Sequence, residues 1–206
     1  MEVGNLLFDY LIIEGMYNIN KLRDEAYRVA VKHGWHDEEH SNKHWLCLII
    51  SELMEAMEAD RKGRHSDIEK FSSELDYVTN LMKLQGENYD LAYHDLFEYH
   101  IKDSFEDELA DVCIRVLDLA GLRCVDLGIY EVQMSNCSYT EFCYDVISII
   151  TNPNKSQETW LTDLLNTIIS FVFSYCKLNN INIEKSISLK IGYNRTREYK
   201  HGNKKY

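Results

Sequence analysis

A chain of 206 residues suits one domain, or one domain carrying an elaborate insertion. Its apolar share of 45% supplies a real core, and one proline with nine glycines is too little punctuation for a many-stranded sandwich. A formal charge of −12 argues against a general nucleic-acid binder, whose footprint is normally basic.

Apolar periodicity predicts helices throughout, and so an all-α fold. The first follows Asn18 through Leu22, Ala26, Val29 and Ala30 and stops at Gly34. A second runs from about His40 to Arg61, ending at Gly63, and a third from Ser66 to Leu84. A shorter piece covers Leu91 to His100. Ser104 and Asp107 resemble a capping box opening a helix through Leu122. Tyr139 to Ile150 and Glu158 to Leu178 follow, separated by the break Asn152-Pro153-Asn154, and the last helix runs from Ile183 to about Thr196. The six cysteines (Cys47, Cys113, Cys124, Cys137, Cys143, Cys176) form no CxxC pair and read as reduced, buried residues. The N-terminus lacks a signal-peptide layout, and the most apolar stretch, Leu164 to Leu178, is too short and interrupted to span a bilayer. A cytoplasmic protein without membrane or nucleic-acid partners is expected.

Two acidic couplets stand out, Glu52-x-x-Glu55 and Glu108-x-x-Asp111, each inside an apolar-periodic stretch. Residues three apart share a helix face, so two such helices facing each other form a nest of four carboxylates. Hard divalent ions prefer such an all-oxygen environment, often shared with substrate phosphates. Glu52 lies away from the main apolar arc yet is flanked by Trp45, Leu48, Ala56 and Ala59, so it needs a partner: a metal, or a salt bridge. The face holding Asp107, Glu108, Asp111, Arg115 and Asp118 reads by itself as solvated, although Leu119 and Leu122 interrupt it. Arg115, one turn beyond Asp111, is placed to hold a carboxylate or a phosphate. From Lys190 onward the chain is basic (Lys190, Arg195, Arg197, Lys200, Lys204, Lys205), with Lys190, Asn194 and Arg197 on one helix face.

These pieces together resemble the all-α, MazG-like nucleoside triphosphate pyrophosphohydrolases. The stretch from Ser51 to Ala59, followed by Arg61-Lys62-Gly63, looks like the family's first metal helix. Glu106 to Val112, continuing to Arg115, Asp118 and Ala120-Gly121, looks like the second. Lys190, Tyr193-Asn194, Arg197 and Tyr199-Lys200-His201-Gly202 look like the closing phosphate-binding segment, and Asn20 to Trp35 fits the leading helix. Fifty-two residues separate Glu55 from Glu108, more than the family pattern, so helical insertions are expected at about 66–103 and 132–182 of a single domain. The resemblance implies a helical bundle that cleaves nucleoside triphosphates between the α and β phosphates. Glu52, Glu55, Glu108 and Asp111 would hold Mg²⁺, with Mn²⁺ substituting, and Glu52 or Glu55 would serve as general base. Lys190, Asn194, Arg197, Lys200 and Arg115 would bind phosphates, with help from His201, and Trp45 or Trp35 would stack on the base. A homodimer or larger assembly is also implied, with Ile168 to Phe173 as its interface unless that segment is core.

Two rival readings remain. His36, His40 and His44 are spaced four apart, as helical metal ligands can be, and His36-Asp37 and His94-Asp95 resemble helical HD-type metal phosphohydrolases, although Gly34 and Glu38-Glu39 suggest a solvated loop or helix start here. A helical interaction or regulatory protein would leave the acidic faces in water.

Overall fold

The computed structural model describes residues 18–153, 158–203 and 205, so Asn154 and Lys204 lie outside the described residues. Among these the chain is helical and contains no strand. The helices are α1 (Ile19–Lys32), α2 (Asn42–Arg61), α3 (Ile68–Met82), α4 (Glu87–His100), α5 (Phe105–Leu122), α6 (Tyr139–Thr151), α7 (Trp160–Leu178) and α8 (Ile183–Thr196). A last short element, Lys200–Asn203, turns through left-handed backbone at Lys200, His201 and Gly202. Among the described residues no helix is long and apolar enough to cross a membrane.

The expected helices all form, with local differences at their starts. α4 begins a turn before Leu91, because Glu87 to Asp90 are helical without carrying an apolar stripe. Ser104 accepts from the Asp107 amide as expected (3.3 Å), but the Asp107 carboxylate accepts from the Asp103 amide rather than returning to Ser104. The reciprocal capping box sits instead at Ser138 and Glu141, opening α6.

α5 is the central helix. Twelve of its 18 residues are buried, because α1, α2, α7 and α8 pack around it. α2 lies antiparallel to it: Arg123 at its end donates to Asn42 and to the His40 carbonyl, while the Phe105 amide at its start donates to the Arg64 carbonyl. α1 is also antiparallel, fixed where Asn20 exchanges hydrogen bonds with the Leu127 backbone. Gly121 permits this contact, since a Cβ there would overlap the Tyr27 side chain.

The two expected insertions behave differently. α3 and α4 form a hairpin with its own small core, Phe71, Leu75, Tyr93, Phe97 and Ile101, completed by Tyr193 of α8. α6 and α7 merge into the main core. Ile168, Ile169 and Val172 are fully buried within the chain and belong to its core, while Phe171 and Phe173 of the same stretch are half-buried. The cysteine expectation needs a correction too: Cys113, Cys143 and Cys176 are buried, but Cys47 and Cys124 are exposed.

Ile168→Ala should therefore lower the unfolding free energy by about 2–5 kcal/mol, through lost burial and a residual cavity. Urea unfolding reads the loss, and sedimentation should show an unchanged oligomeric state. Altered sedimentation at unchanged stability would support the interface reading.

Candidate metal centre

The antiparallel pairing of α2 and α5 sets two acidic turns opposite each other. Glu52 and Glu55 lie one turn apart on α2, and Glu108 lies in the first turn of α5. One oxygen from each of these three lies within 4.8 Å of the others. Glu52 and Glu108 are buried, and Glu55 stands exposed at the rim. Three carboxylates and no sulfur or imidazole make an oxygen-only donor set, which fits a hard divalent cation. The cluster opens into a cleft of about 560 Å³ that continues along α5 past Asp111 and Arg115 to Asp118.

The fourth expected ligand, Asp111, lines this cleft but is already paired. Lys190 of α8 reaches Asp111 at 2.7 Å and Asp107 at 2.8 Å, and its ammonium lies 5.7 Å from the ring centroids of both Phe97 and Tyr193. Burial works against the charged form of Lys190, but Asp111 and Asp107 outweigh it and hold the ammonium charged. Lys190 is thus clamped between carboxylates rather than held free for phosphate. Arg115, which also lines the cleft, donates to Glu52 at 2.9 Å and so is engaged with one of the three clustered carboxylates. Among the described residues no ion pair reaches Glu55 or Glu108.

Desolvation dominates the electrostatics. Burial, with Asp111 and Glu55 adding repulsion against the opposing pull of Arg115, raises Glu52 to about 7. Burial, followed by repulsion from Asp111, raises Glu108 to about 8. Carboxylates crowded in this way are compensated either by a proton or by a cation.

Asn194 and Arg197 both line the cleft. The Asn194 Oδ1 is buried without a hydrogen-bond partner, and the Arg197 guanidinium lies over the Tyr193 ring at 5.4 Å. Lys200 and Trp45 do not reach it. The Lys200 amide donates to the His33 carbonyl, and its side chain lines a separate small recess beside His44 and Trp45. Trp45 is buried in the main core, so it is not available to stack on a ligand. The cleft takes Trp35 instead, with the His201 ring edge-on to it at 5.0 Å.

The histidines do not form a metal set of their own. The chain from His33 to Ser41 is turns rather than helix, so a four-residue spacing there does not place His36, His40 and His44 on one face. His36 instead meets Asp118, with Nε2 2.8 Å from Oδ1, while His40 and His44 stack on each other. His94 lies 3.5 Å from its neighbour Asp95 on α4, away from the cluster.

Sequence reasoning missed Asp107 and the His36–Asp118 pair. Asp107 read as a helix cap, and only its i, i+4 spacing to Asp111 hinted at a shared cation. No family model, no curated protein and no solved structure matches this chain.

The pH dependence follows from the direction of these shifts. A carboxyl raised from 4.5 to about 8 keeps its proton in the fold after the unfolded chain has released one. Its stabilising contribution is complete below about pH 4.5 and is lost as pH rises through about 8. The metal-free protein should lose stability between pH 5 and 8, and Glu108→Gln should flatten that slope. Thermal unfolding across this range checks it, and a slope equal to wild type would contradict it.

Proposed function

We propose that this protein is a Mg²⁺-dependent nucleoside triphosphate pyrophosphohydrolase of the MazG-like kind, releasing a monophosphate and pyrophosphate. The observation that carries this reading is the convergence of Glu52, Glu55 and Glu108 at the head of a cleft that also presents Asn194 and Arg197. Glu52, Glu55 and Glu108 would hold a divalent cation, which would supply charge neutralisation for the polyphosphate and acidify the attacking water. Mn²⁺ fits the same donor set.

The chain's own residues divide the remaining work. Glu55, at the rim and outside any ion pair among the described residues, takes the proton of the attacking water. Arg115 fixes the Glu52 carboxylate through their ion pair. Lys190 holds Asp111 at the edge of the cluster and locks α8 against α5. Arg197 and Asn194, on the wall contributed by α8 and the residues after it, face the polyphosphate.

The test is a panel of canonical and modified nucleoside triphosphates with Mg²⁺ or EDTA, reading pyrophosphate and orthophosphate separately. Pyrophosphate release should require the metal, and Glu55→Gln should lower it by about 10²-fold or more. Because Glu55 is exposed, this variant should unfold like wild type. Orthophosphate release would indicate a different phosphohydrolase. No turnover together with no Mg²⁺ effect on Tm would leave a non-enzymatic helical protein.

A further inference from the structure

The cleft does not end at the carboxylate cluster. Asp111 and Asp118 are seven residues apart on α5, two turns and about 10.5 Å along its axis. Both line the same cleft. Between and around them the walls turn apolar: Ala26 and Ala30 of α1, Leu48 of α2 and Ile114 of α5, with Trp35 alongside. The alanines, one turn apart, add little bulk to this wall, and Val29 and Ile191 extend its apolar surface. Such a slot takes a planar apolar group, set off from the metal end by an intervening polar linker.

The inner part of this slot is not neutral. Asp118 is buried, and its carboxylate is held from behind by His36. The imidazole is itself wedged between Tyr27 and Trp45, with ring centroids at 5.2 and 5.0 Å, so its orientation is fixed. His36 engages one oxygen of Asp118, and a carboxylate retains further acceptor capacity. A buried acceptor on the wall of an apolar slot discriminates by demanding a donor, because a ligand without one leaves it unsatisfied.

We propose that the inner end of the cleft is a nucleobase subsite in which Asp118, positioned by His36, selects bases that carry an exocyclic amino group. This rests on reading the cleft as a nucleoside triphosphate site. The carboxylate accepts from the amino group of cytosine, adenine or guanine, whereas the uracil and hypoxanthine counterparts present a carbonyl oxygen or a hydrogen at the same place. His36 is a positioning residue here, and Trp45 contributes through it.

The test is equilibrium binding of nucleoside monophosphates in matched pairs: CMP against UMP, AMP against IMP, and GMP against IMP. At least one pair should favour the amino-bearing base by about tenfold or more, and Asp118→Asn should erase that preference. The Mg²⁺-induced rise in Tm should persist in the variant, since Asp118 lies ten residues, nearly three turns of α5, beyond Glu108. If Asp118→Asn fails to fold, the wild-type pairs alone decide. No amino preference in any pair overturns the subsite, as does a preference that survives in a folded Asp118→Asn protein. The amino preference without pyrophosphate release would retain the subsite and remove the proposed activity. Metal-dependent release without the preference would do the reverse.

Discussion

Negative charge buried on one face of α5 is the constraint on which the rest of the site depends. Glu108, Asp107 and Asp118 are all buried on this helix, and Glu52 is buried opposite them. Isolated carboxylates do not survive burial without compensation. The fold answers in three ways along one helix. Lys190 clamps Asp107 and Asp111, Arg115 pairs with Glu52, and His36 meets Asp118. What these leave over is concentrated where Glu52, Glu55 and Glu108 converge, and there the compensation is either a proton or a metal ion.

This accounting also explains the architecture around the site. The Lys190 clamp joins α5 to α8, and the same ammonium lies against Phe97 of the α3–α4 hairpin. Tyr193, three residues on, completes the hairpin's own core, so the hairpin is seated on the helix that carries the cleft-facing residues. Gly192 lets the hairpin approach, since a Cβ there would crowd the Tyr93 hydroxyl, which donates to the Leu189 carbonyl. The α3–α4 hairpin, lying in sequence between the two helices that carry the carboxylates, thus acts as a brace for α8 rather than a detached appendage.

Much of this was legible in the residues. Glu52 stood out because apolar neighbours flanked it on both sides, and it is buried as that pattern requires. The acidic face of α5 was misleading alone, since nothing local to it says that α1 and α8 will cover it; the interruptions at Leu119 and Leu122 were the available clue. The Lys190–Asp111 pair was hidden by distance in sequence, and a basic residue in a basic segment reads as a phosphate ligand. Trp45 and Trp35 were indistinguishable by type. Only packing sends Trp45 into the core and Trp35 to the cleft. The histidine spacing carries no shared face because Gly34 and Glu38-Glu39 mark a loop, and residues 33–41 form no helix.

The most direct measurement is calorimetric titration of the metal-free protein with Mn²⁺ or Mg²⁺ near neutral pH, in buffers of different ionisation enthalpy. If Glu52, Glu55 and Glu108 form a cation site, binding will saturate and release protons, because Glu52 and Glu108 are raised to about 7 and about 8 before the metal arrives. Glu108→Gln will then weaken binding and reduce the proton release. Absence of saturable binding, or a Glu108→Gln protein that binds metal as tightly as wild type, would contradict the metal centre and everything built on it.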